Sequence, residues 1–176
     1  MDFPLFVYGT LKTGFPANAR WCSRAGVPIA ARSAGSLFLH ADGYPVLFLE
    51  PDAVLAIGSA DVEQDARIAR QPGTQPGIGL DFLGPLEGSR AAVSAAEMTA
   101  GVLGELLIFP RGTLLLAALD AYECFTPGAP SLFVRALARI ELLDTHEQRY
   151  AWTYVAGRLM ANTPLTRLPN GRWPGR

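Results

Sequence analysis

Apolar residues fall in short runs cut by glycine, proline and polar clusters, a pattern that predicts more strands than helices. Leu5 to Tyr8 is an apolar, aromatic run halted by Gly9 and reads as a buried strand feeding a turn. Ala17 to Ala25, between Pro16 and Gly26, is long enough for two helical turns. Ile29 to Leu39 alternates imperfectly through Gly35, and Tyr44 to Leu49 follows an Asp42-Gly43 turn, so two antiparallel strands joined by a loop are expected. Val102 to Phe109 is again strand-like, and Pro110-Arg111-Gly112 breaks it. Thr113 is then the expected N-cap of a short apolar helix, Leu114 to Glu123. Leu132 to Leu143 alternates, Asp144 to Gln148 is turn material, and Tyr150 to Val155 completes a hairpin.

Two stretches interrupt this rhythm. From Pro51 to about Ala100 the chain carries a charged, helix-compatible segment (Asp61 to Arg70), a tract loaded with proline and glycine (Gln71 to Gly88), and a second possible helix (Ala91 to Thr99). These read as an insertion or lid at about 51–100 within a single domain of residues 1–156. The remaining 157–176 form a C-terminal tail of Arg, Pro, Gly and Trp173 that either wraps the body or frays. With strands in the majority and helices few and scattered, the class is α+β, built round a curled, largely antiparallel sheet. A doubly wound fold does not fit.

At 176 residues, with 49% apolar and 18% charged side chains, the chain can bury one sizeable core. A net charge of −1 gives no electrostatic footprint for nucleic acid, so a small-molecule partner is expected. The start lacks a basic segment followed by a long apolar one, and no run approaches the roughly 20 apolar residues of a membrane span. A cytoplasmic protein with no membrane contact is therefore expected. Cys22 and Cys124 lack metal-ligand spacing, and with only two histidines neither a metal nor any other cofactor is expected.

Candidate chemistry concentrates in two places. The small-residue bend after the first strand, Tyr8-Gly9-Thr10-Leu11, exposes consecutive backbone N–H groups that suit an anion or an oxyanion. Thr10 adds a hydroxyl and Tyr8 an aromatic wall. The bend is not a P-loop, because Phe15-Pro16 stand where Lys-(Ser/Thr) is required. The second place is Glu123, which closes an apolar helical run; burial and the negative helix end both raise a carboxyl pKa there. Read alone, the bend is more often a plain strand-ending turn, and Glu123 more often a carboxylate that is solvent-exposed or paired with an arginine. Asp120 reads as a cap or structural hydrogen-bond partner. Lys12 and Arg135 fit either a substrate carboxylate or structural ion pairs, and Tyr44 and Tyr154 either a pocket wall or the core. A nucleophilic Cys124 paired with His40 or His146 is disfavoured, since both histidines fall in surface turns or loops.

In order along the chain, Tyr8-Gly9-Thr10-Leu11, Gly35-Ser36-Leu37-Phe38 with Tyr44-Pro45, Val102-Leu103-Gly104-Glu105-Leu106, Leu119 to Glu123, and Ala151-Trp152-Thr153-Tyr154 resemble the motifs of gamma-glutamylcyclotransferase-like proteins. The match covers about residues 3–50 and 101–156. The resemblance implies a small mixed, mainly antiparallel β-barrel with a few short helices. It also implies a cofactor-free reaction, of the gamma-glutamylamine cyclotransferase type, in which Glu123 is the general acid/base. Tyr8, Gly9, Thr10, Leu11, Tyr44, Arg135 and Tyr154 are the implied substrate-binding residues. The substrate would be a γ-glutamyl amine or γ-glutamyl amino acid, released as 5-oxoproline and an amine. One departure stands out: Phe133-Val134-Arg135 replaces the family's frequent Tyr-x-Arg. From another class, the rival expectation is a non-catalytic ligand-binding or protein-interaction module on the same fold.

Overall fold

The computed structural model describes residues 1–72, 80–84, 101–161 and 163–175. Five strands close into a barrel in the order β2-β6-β1-β8-β7 and back to β2. They are β1 (Phe3–Val7), β2 (Ile29–Ser33), β6 (Val102–Phe109), β7 (Phe133–Leu142) and β8 (Gln148–Ala156). All neighbours are antiparallel except β1 and β8, which run parallel through Leu5 and Trp152. The barrel is therefore mixed and mainly antiparallel, and closure removes the exposed edges an open sheet would leave.

The long β7–β8 hairpin is the spine, in register from Phe133 opposite Ala156 to Glu141 opposite Gln148. Leu5, Leu107, Leu137, Ile140 and Trp152 are sealed from solvent in the core. A ring such as Trp152 removes roughly 150–250 Å² from water, worth roughly 4–6 kcal/mol at about 25 cal/mol per Å².

A second, three-stranded sheet, ordered β4-β3-β9, packs beside the barrel: β3 (Ser36–His40), β4 (Pro45–Phe48) and β9 (Leu165–Arg167). The run Ile29 to Leu39, expected as one strand, is divided between the two sheets. Gly35 turns the chain at φ +108°, a conformation that strains other residues, and a Cβ there would lie 2.3 Å from the Phe48 carbonyl oxygen. The tail wraps the body: β9 pairs with β3, and Trp173 is buried against Phe15.

Among the described residues three α-helices decorate the barrel: α1 (Pro16–Trp21), α2 (Val62–Arg70) and α3 (Leu116–Tyr122). Asp61 caps α2 by accepting from the Glu63 and Gln64 amides. Thr113 does not cap α3. Its hydroxyl donates to the Pro110 carbonyl at 2.7 Å, holding a turn, and α3 begins two residues beyond the expected Leu114.

Residues 51–70 are built into the body. After a single 3-10 turn (Pro51–Ala53), β5 (Val54–Ile57) adds to the same edge of β7 that β2 uses, with a bulge between Val54 and Ala56. Most of the expected Pro/Gly tract (71–88) and all of the possible helix at Ala91 to Thr99 lie outside the described residues. Among the described residues no helix is long and apolar enough to cross a membrane.

Candidate active site

The bend is fixed from beneath by Tyr8. This side chain is 7% exposed; its hydroxyl donates to the Tyr154 carbonyl at 2.7 Å and accepts from the Leu47 amide at 3.3 Å. Burial, and then the charge of Glu123, push its phenol pKa above the ordinary range. Gly9 follows, its carbonyl accepting from the Lys12 amide at 3.0 Å to close the turn. Pro45 presses so close that a Cβ on Gly9 would meet its Cγ at 2.5 Å, so glycine here is a packing requirement. Among the described residues no acceptor takes the Gly9, Thr10 or Leu11 amides. The far side of the bend is pinned by Glu105, which accepts from the Thr13 amide and hydroxyl.

Glu123 is the C-cap of α3. The helix stops in a Schellman arrangement: the Cys124 amide donates to Ala121 and the Phe125 amide to Asp120. Glycine usually takes the left-handed position of such a stop, but here Cys124 occupies it at φ +52°, at a cost of roughly 1–2 kcal/mol. This strained stop sets the direction in which Glu123 leaves the helix. Its side chain is half-buried, and no hydrogen bond reaches its carboxyl among the described residues. Burial first, and the charge of Asp120 second, raise its pKa to about 8.

Asp120, read as structural, makes the opposite use of a carboxylate. It pairs with Arg135 and accepts from the Tyr154 hydroxyl at 2.6 Å. Arg135 is fully buried; its second terminal nitrogen donates to the Ser59 carbonyl and, at 2.6 Å, to the Asp65 carboxylate of α2, while its Nε finds no acceptor among the described residues. Thus α2, β7 and α3 are locked together through one guanidinium.

These pieces surround a cavity of about 670 Å³, within the range of small-molecule sites. Its walls bring together Tyr8, Gly9, Thr10, Leu11, Tyr44, Glu123 and Tyr154 from the expected set. Neither Arg135 nor Asp120 is among the lining residues; Arg135 connects to the wall by way of Asp120, which accepts from the hydroxyl of the lining residue Tyr154. Sequence reasoning missed Phe15, Tyr122, Phe133 and Trp173 as wall residues. Tyr122 spans from α3 to the bend, its hydroxyl donating to Thr10 Oγ1 at 3.3 Å, and its ring leans on Trp21. An aromatic residue beside Glu123 was the available signal for Tyr122; none pointed to Trp173.

Neither histidine is among the lining residues. His40 stacks on Tyr44 with ring centroids 4.3 Å apart, and His146 contacts Glu141 on the β7–β8 turn at 2.7 Å. Among the described residues no cluster of His, Cys, Asp and Glu is arranged to hold a metal.

Comparison with known proteins agrees with this architecture. The family model described as "Gamma-glutamyl cyclotransferase, AIG2-like" matches residues 59–175, well over half of the chain. No curated protein sequence matches. The crystal structure of YkqA from Bacillus subtilis superposes with TM-score 0.51 at 18% identity, over 98% of this chain and 40% of that one. The chain thus spans less than half the length of that structure, and the likeness is one of fold. An AIG2-like protein from Mus musculus superposes with TM-score 0.49 at 18% identity, over 88% of this chain and 77% of that one. From the family match, the chain belongs to the AIG2-like gamma-glutamyl cyclotransferase family.

Proposed function

We propose that the protein is a cofactor-free gamma-glutamyl cyclotransferase that releases 5-oxoproline and a free amine from a γ-glutamyl amine or γ-glutamyl amino acid. The observation that carries this reading is the shared cavity: Glu123, with no hydrogen-bond partner among the described residues, lines the same space as Gly9, Thr10 and Leu11, whose amides have no acceptor among the described residues.

In the proposed reaction the substrate's α-nitrogen attacks its own γ-carbonyl carbon, and the bond from that carbon to the leaving nitrogen breaks. The proton lost by the first nitrogen must reach the second. A carboxyl with pKa about 8 suits both halves of that transfer, being more basic than an ordinary glutamate and still able to return the proton near neutrality. The Gly9 to Leu11 amides are assigned to the substrate carboxylate or the developing oxyanion. Holding the glutamyl chain curled supplies proximity, which in well-aligned intramolecular reactions is worth roughly 7–11 kcal/mol. Tyr44 and Tyr154 would form wall, and Arg135 would act at one remove by fixing Asp120.

The test is incubation with a panel of γ-glutamyl amines and γ-glutamyl amino acids, measuring 5-oxoproline. Release that disappears in Glu123→Gln supports the reading. Silence of the wild-type protein across the panel would instead favour a non-catalytic module on this fold.

A further inference from the structure

Tyr122 is exposed and engaged at once. It is the last residue of α3, whose buried residues are Leu116, Leu119 and Asp120, and it keeps 42% of its surface in solvent. Most side-chain hydrogen bonds go to backbone or to water. Here the hydroxyl instead donates to another side chain, Thr10 Oγ1, at 3.3 Å and 112 residues away in sequence. The ring rests against Trp21 of α1 with centroids 5.9 Å apart, and Trp21 is itself covered by the Arg20 guanidinium at 4.6 Å from its ring centre. Tyr122 and Thr10 both line the cavity, so α1, α3 and the bend meet at its wall through one side chain.

The consequence lies in the protons. A threonine hydroxyl has one proton to give and two lone pairs to receive with. Among the described residues the one hydrogen bond of the Thr10 hydroxyl is the one it accepts from Tyr122, so its own proton is not spent within the protein. Without that partner the side chain turns among staggered positions and meets a ligand as donor or acceptor alike. With it, one lone pair is taken and the O–H remains as a donor, polarised by the bond its oxygen accepts. The Gly9, Thr10 and Leu11 amides of the same bend also have no acceptor among the described residues, and the hydroxyl adds a fourth donor to that set.

We infer that Tyr122 is a positioning residue, holding Thr10 Oγ1 so that its proton is given to the substrate's carboxylate or developing oxyanion. This inference rests on the cyclotransferase reading and deepens it. Tyr122 acts through Thr10, while proton transfer stays with its neighbour Glu123. One helix end then supplies the acid/base group and also sets a donor on the opposite wall.

The test is a double-substitution cycle on 5-oxoproline release, run with the γ-glutamyl amine or γ-glutamyl amino acid that the wild-type protein turns over fastest. Tyr122→Phe keeps the ring against Trp21 and removes only the hydroxyl; kcat/KM should fall by roughly two- to tenfold, the effect of one ordinary hydrogen bond. Thr10→Val removes the receiving hydroxyl and should cost roughly tenfold or more. The double variant should be no slower than Thr10→Val, and the two single variants should change the same parameter, kcat or KM. The urea midpoint of Tyr122→Phe should match the wild type. Unchanged kcat/KM in Tyr122→Phe, or an equal loss with and without the Thr10 hydroxyl, overturns the positioning role and leaves the cyclotransferase reading standing. No 5-oxoproline from the wild-type protein with any γ-glutamyl compound of the panel overturns both.

Discussion

Asp120 and Glu123 leave the last turn of α3 three residues apart, one carboxylate held by Arg135 and Tyr154, the other with no hydrogen-bond partner among the described residues. The bonded acid sits close enough to oppose ionisation of the free one, adding to the effect of burial. Wild-type kcat/KM should therefore rise with pH through a midpoint near 8, as the base form of Glu123 accumulates. Asp120→Asn removes the second cause and leaves the first, so its midpoint should move to lower pH. Rates of 5-oxoproline release across the neutral and alkaline range check this; an unmoved midpoint in a folded variant would break the link between the two acids.

The same raised pKa has a stability consequence of definite sign. Glu123 holds its proton in the folded state up to about pH 8, above the ordinary carboxyl value of 4.5. Its contribution is full below that ordinary value and is lost as pH rises through the folded pKa. Glu123→Gln cannot ionise, so its denaturant midpoint should exceed that of the wild type at about pH 9 and approach it at about pH 5. Turnover in the same variant should fall by roughly 10²–10⁴-fold.

Legibility in the sequence followed how local each feature is. The bend and Glu123 are written in consecutive residues, and β6, β7 and β8 in runs of strand-like pattern, so a curled, largely antiparallel sheet and two candidate poles were legible, while closure into a barrel was implied only by the family resemblance. Asp65 was not legible. It lies in a helix whose composition looks solvated, yet it is fully buried because Arg135, 70 residues away, requires a counter-charge. Four-residue β5 is too short to announce itself inside a segment read as an insertion. Trp173 is hidden among glycine, proline and arginine, and its burial depends on Phe15 more than 150 residues earlier. Gly35 was visible, but its role as the divide between two sheets depends on the approach of Phe48.

Gly9→Ala tests the bend as a positioned element. The added methyl would have to displace the Pro45 ring from 2.5 Å, an overpacking that costs about 1–3 kcal/mol. Relief by movement of the bend would carry the amides away from Glu123, and kcat/KM should drop by roughly tenfold or more. Comparing kinetics with the unfolding midpoint separates the two effects: a stability loss with unchanged kcat/KM would mean the bend takes no part in the reaction.

Arg135 offers the sharpest contrast between touching a substrate and holding a frame. Arg135→Met would leave Asp65 and Asp120 buried without their cation, a loss of about 3–5 kcal/mol. Arg135→Lys keeps the charge but not the fork that reaches Asp120, Asp65 and the Ser59 carbonyl together, so it should recover only part of that loss. Urea unfolding of both variants measures this directly. Had Arg135 bound the substrate carboxylate, the lysine variant would raise KM while leaving the unfolding midpoint in place. With the guanidinium enclosed, the midpoint should fall first, and any change in KM should follow from displacement of α3, which carries Asp120 and ends at Glu123.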